Sequence, residues 1–81
     1  MENINREAIN KVLHTITEKA KSTGWHAMTD TYAYKDIMSI LSKEDKDITY
    51  VDKECLRSDL ELLCICQGLQ YYTVLKEAYH G

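Results

Sequence analysis

The side chains able to do covalent or metal chemistry are few and scattered. Cysteines stand at Cys55, Cys64 and Cys66, and histidines at His14, His26 and His80. A zinc site draws on Cys pairs with two to four residues between them or on closely spaced His. Cys64 and Cys66 flank a single residue. On a helix that spacing separates the two sulfurs by about 200°, so they cannot chelate as a pair. They read better as small apolar residues. A Cys–His catalytic pair would need a framed nucleophile or an anion-cradling loop. The three glycines, at 24, 68 and 81, frame neither. His14, beside Leu13, reads as a partly exposed helix residue. A chain of 81 residues also leaves little room for a substrate pocket. The expectation is a protein that is not an enzyme, with no cofactor and no metal.

The totals set the frame in which other functions must fit. The length suits one domain spanning 1–81, with a small margin of stability. Apolar residues make up 44% and charged residues 28%, which argues against disorder along the whole chain. No apolar run approaches the roughly 20 residues of a membrane span. The stretch "MENINREAIN" has no apolar signal core. With an odd number of cysteines, this points to reduced thiols and an intracellular location, cytoplasmic or nuclear. Charge is uneven: residues 1–43 carry +1 and residues 44–81 carry −4.

These side chains must be positioned by a small set of elements. Ile4, Ala8, Val12, Ile16 and Ala20 recur every four residues, and Ile9 and Leu13 widen the stripe. This predicts an amphipathic helix over 4–22, capped by Asn3 or Asn5 and stopped at Gly24. "WHAM" (25–28) is expected as a brief strand, and "TDT" (29–31) as a source of N-caps. A second helix follows from Tyr32 to near Ser42, with Tyr34, Ile37, Met38 and Leu41 on one face. "KEDKD" (43–47) reads as a solvated loop. "ITYV" (48–51) reads as a short extended piece with Ile48 and Tyr50 facing in. Asp52 is expected to cap a third helix. Its stripe is Leu56, Leu60 and Leu63, with Leu62 and Cys66 beside it, and Gly68 ends it. "LQYYTVL" (69–75) favours a strand by composition, with a helix as the alternative.

Helix, short strand, helix, extended link, helix and strand is an order that resembles the winged-helix variant of the helix-turn-helix. "YAYKDIMSILS" looks like its second helix, "DKECLRSDLELLCICQG" like its third, and "LQYYTVL" stands where the first wing strand would follow. The resemblance implies an α+β fold of three helices with a minimal β-sheet. The wing would be truncated, because "KEAYHG" after Leu75 offers no hairpin turn.

In winged helices that bind DNA, the third helix enters the major groove. Here it offers Lys53 and Arg57 against Asp52, Glu54, Asp59 and Glu61, a net −2 on the element that would meet a polyanion. DNA is therefore the disfavoured partner, served at best by Lys11, Lys53 and Arg57 in a transcriptional regulator. The resemblance also covers winged helices that bind proteins. A near-neutral or acidic third helix suits that use, as do surplus aromatics, because Tyr and Trp combine large area with a polar tip. The expected function is a protein–protein interaction or adaptor module, with homodimerisation an option and no membrane partner. Its expected contact residues are Trp25, Arg57, Tyr71 and Tyr72. An all-helical bundle acting as an inhibitor or small scaffold is the third reading.

Overall fold

A computed structural model describes residues 4–68. Three helices carry the architecture: α1 (Arg6–Ser22), α2 (Tyr32–Leu41) and α3 (Tyr50–Cys66). Single 3-10 turns, Met28–Asp30 and Asp45–Asp47, stand in the two connections.

Each helix starts where a side chain can satisfy the free amides of its first turn. Asn5 Oδ1 accepts from the Ala8 N–H at 3.0 Å, and Thr31 Oγ1 from the Tyr34 N–H at 3.2 Å. At α3 the cap is reciprocal. Thr49 Oγ1 accepts from the Asp52 N–H at 3.0 Å, and Asp52 Oδ2 accepts from the Thr49 N–H at 3.0 Å. α1 stops in a left-handed turn: Gly24 has φ +86°. The N–H of Gly24 reaches Lys21 O at 3.0 Å and that of Trp25 reaches Ala20 O at 2.8 Å, the paired bonds of a Schellman ending.

One core joins the three helices. α1 contributes Ile9, Val12, Leu13, Ile16 and Ala20; α2 contributes Ala33, Ile37 and Ile40; α3 contributes Leu56, Leu60, Leu63 and Cys64. Met28 and Ile48 close it from the connections, while Trp25, Tyr34 and Leu41 pack on it half-buried. α2 and α3 make the most extensive helix–helix contact among the described residues. Arg6 fastens the start of α1 to the end of α2. Its guanidinium donates to Leu41 O at 2.6 Å, to Lys43 O at 2.7 Å and to Asp45 Oδ1 at 2.6 Å. Two of those acceptors are carbonyls at the negative end of α2, where a cation is favoured.

The expected α+β class does not stand: the described residues are all-helical, with no strand and no sheet. Two of the three candidate strands are accounted for. Residues 25–28 lie between the Gly24 turn and the 3-10 turn that Met28 begins, which leaves no room for extended pairing. At 48–51, Thr49 rather than Asp52 is the N-cap, with Asp52 completing the capping box as its third helical residue. Tyr50 and Val51 are thereby drawn into the first turn of α3. Ile48 faces in as expected, but Tyr50 is exposed. The third candidate, "LQYYTVL" (69–75), lies outside the described residues.

Candidate functional site

α3 is apolar on two opposite sides. Leu56, Leu60, Leu63 and Cys64 face the core and are essentially sealed from solvent. Across the helix, Val51, Leu62 and Ile65 are 66%, 54% and 58% exposed. Cys55 and Cys66, also exposed, stand on this outer side. Placing Leu62 beside the buried stripe was wrong, and so was Cys66. Two positions on from Leu60 is about 200° around the helix, which turns Leu62 outward. The same angle separates Cys64 from Cys66. Cys64 is buried, and burial pushes its thiol up to about 11; Cys66 is on the surface.

The outer face of α3 meets the start of α2 in an open groove of about 280 Å³. Its rim is aromatic, with Tyr32 and Tyr50 80% and 65% exposed. Val51, Cys55 and Ser58 line its α3 wall, and Asp36 of α2, with Glu54 and Asp59 of α3, supplies carboxyl groups. Asp36 and Asp59 face each other across the helix pair, close enough to interact. Two carboxylates cannot share a hydrogen bond without a proton. Desolvation, hydrogen bonding with Asp36 and its negative charge push Asp59 up to about 7. Asp59 Oδ2 is sealed from solvent and has no donor of its own. A proton on Asp59 turns that acceptor into a donor for Asp36.

At the N-terminus of α3, Asp52 is shifted the other way. The Thr49 N–H and then the Lys43 ammonium, 2.9 Å from Oδ2, hold its carboxyl below the usual range. α3 thus carries one acid stabilised as an anion by its cap and one stabilised as a neutral acid by its neighbour.

The residues singled out from the sequence are dispersed. Trp25 is half-buried against the core and follows the α1 stop, so much of its ring is committed to packing. Arg57 is exposed on α3 and donates to Glu54 Oε2 at 2.8 Å. Lys53 shares that side of α3, one turn earlier, while Lys11 is exposed on α1. Tyr71 and Tyr72 lie outside the described residues. On α2, Met38 was expected to face inward with Ile37; it is exposed, and Ala33 and Ile40 take the interior positions instead. His14 lies in a second depression with Glu18, Lys21 and Tyr34, between α1 and α2. Among the described residues no group of three His, Cys, Asp or Glu is arranged to hold a metal ion. None of their helices is long and apolar enough to cross a membrane.

The outer row Val51, Cys55, Leu62 and Ile65 and the rim tyrosines were missed. The signal was there, because α3 has apolar residues at two angular positions, and only one can face a single core. The Asp36–Asp59 pairing joins residues 23 apart in sequence and had no local signature.

No family model matches the chain, and neither a curated protein nor a solved structure is detectably similar to it.

Proposed function

We propose that this chain is a non-enzymatic protein-interaction module. It presents the outer face of α3, together with Tyr32 of α2, to a partner inside the cell. The observation that supports this reading is the apolar row along α3 on the side opposite its buried stripe. Isolated exposed apolar residues are ordinary, but Val51, Cys55, Leu62 and Ile65 along one side of a helix, interrupted only at Ser58 and set beside two exposed tyrosines, have the composition of a contact surface. Arg57 lies outside the groove and touches it through its bond to Glu54.

The rival reading, a DNA-binding regulator using Lys11, Lys53 and Arg57, requires α3 to approach phosphates. Its outward surface instead carries Glu54, Asp59 and the neighbouring Asp36. Anisotropy of a labelled mixed-sequence duplex at low salt separates the two. A flat titration is expected. Binding that weakens steeply with added salt would make the regulator reading the leading one. Pull-down with the natural chain and with Leu62→Ser/Ile65→Ser then tests the contact surface. The captured proteins should be lost with the variant; an identical set from both would sink this surface as the contact site.

A further inference from the structure

The outer row on α3 has a spacing that specifies more than an apolar contact. Val51, Cys55, Ser58, Leu62 and Ile65 follow one another by four, three, four and three residues. That alternation is the a/d seam by which one helix receives another. All five positions are exposed. The same spacing fixes which residues border the seam. Asp52 and Asp59 fall along one side, and Glu54 and Glu61 along the other. Four of the five flanking positions within α3 are therefore acidic; the fifth, at the C-terminal end, is Cys66. Asp36 of α2 stands beside Asp59 and adds a fifth carboxyl group. Lys53 and Arg57, the two cations of α3, lie about 120° or more from the centre line of the seam. Lys43 is bound to Asp52 at 2.9 Å and Arg57 to Glu54 at 2.8 Å. Among the described residues, no ion pair joins Asp36, Asp59 or Glu61 to a Lys or Arg.

Resting on the protein-contact reading above, we infer that the α3 seam docks a basic amphipathic helix of a partner protein. That helix carries an apolar row at alternating three- and four-residue spacing, bordered by Lys or Arg. The flanking charge selects this occupant over the others that an apolar helix face could take. A second copy of α3 would set acidic flanks against acidic flanks in either orientation, which is destabilising. An anionic bilayer surface or a nucleic acid would meet the same repulsion. The groove at the N-terminal end of the seam fits one basic side chain in particular. Its aliphatic stem lies along Tyr32 and Tyr50, and its charged tip reaches the Asp36 carboxylate that lines the groove.

The test uses the full chain and three labelled synthetic peptides, read by fluorescence anisotropy. The first has leucines at the four-three spacing with lysine flanks. The second has the same leucines with glutamate flanks. The third is the lysine peptide in scrambled order. The lysine-flanked helix is expected to bind at least about tenfold more tightly than either of the others, and to weaken with salt. Leu62→Ser/Ile65→Ser, both at exposed positions, should cost about tenfold or more. Glu61→Gln, which leaves the apolar row intact, should cost severalfold. Equal binding of the ordered and scrambled lysine peptides would overturn the inference, because charge alone would then suffice. Preference for the glutamate-flanked helix, lost in the double variant, would overturn the partner's charge while leaving the contact surface standing. Self-association abolished by the same variant would make a second copy the occupant and overturn the inference in that way. Failure of every peptide would overturn the helix-docking seam, and the pull-down comparison would decide separately whether the contact reading goes with it.

Discussion

At the scale of single residues, burial and neighbours rather than residue type decide the chemistry. Asp59 is the clearest case, because its proton is retained to about 7 by desolvation and by Asp36. The folded state therefore holds a proton that the unfolded chain releases near its ordinary carboxylate value. Stability from this residue is greatest in acid, declines as pH rises between about 4 and about 7, and levels off above. Asp59→Asn should remove that slope and stabilise the protein by about 1–2 kcal/mol at pH 8, after allowing for partial solvent screening. Thermal melts across pH 4–8 check it; a slope unchanged by the substitution would show that the pair does not share a proton. Asp52 has the opposite sign. Its carboxyl is held low by the Thr49 N–H and Lys43, so its contribution is present above the ordinary carboxylate range and is lost in strong acid. The thiols divide in the same way. Cys55 and Cys66 are exposed, whereas Cys64 is buried with its thiol pushed up to about 11. A thiol reagent should label Cys55 and Cys66 in the native protein and Cys64 only on unfolding, as mass spectrometry of digested samples would show.

At the scale of elements, α3 shows why a helix can be legible while its boundaries and faces are not. The Leu56–Leu60–Leu63 stripe was correctly read as interior, since leucines at spacings of four and three lie on one side. Thr49 was missed as the cap because Ile48, Thr49, Tyr50 and Val51 all favour extended structure by type. The reciprocal bonds between Thr49 and Asp52 outweigh that preference. Thr49→Ala should destabilise the protein by about 1 kcal/mol, seen as a lowered melting temperature. The two sides of α3 should also respond very differently to truncation. Leu60→Ala empties a sealed position and should cost about 2–5 kcal/mol, whereas Leu62→Ala should cost no more than about 0.5 kcal/mol. Equal losses in denaturant titrations would mean that Leu62 is covered in the native state.

At the scale of the whole molecule, the connections between helices matter as much as the core. Arg6 reaches from the first turn of α1 to two carbonyls at the end of α2 and to Asp45. A planar, forked donor set serves three acceptors, which a single ammonium cannot reproduce. Arg6→Lys should therefore lose about 1–2 kcal/mol, read from chemical denaturation, despite keeping the charge. Nothing in the sequence around Arg6 marks it for this role, because its acceptors lie 35 and more residues away.

Local periodicity and capping chemistry were enough to establish three helices, an Asn cap at position 3 or 5, the Gly24 stop and most of the core, since each depends on residues a few positions apart. Tertiary structure decided the rest. It replaced the expected sheet with helix and turn at 25–28 and 48–51. It paired Asp36 with Asp59. It also chose which apolar side of α3 faces inward. A helix with two apolar sides does not say which one a neighbour will cover; packing against α1 and α2 settles it and leaves the other side as the surface through which this chain is proposed to act.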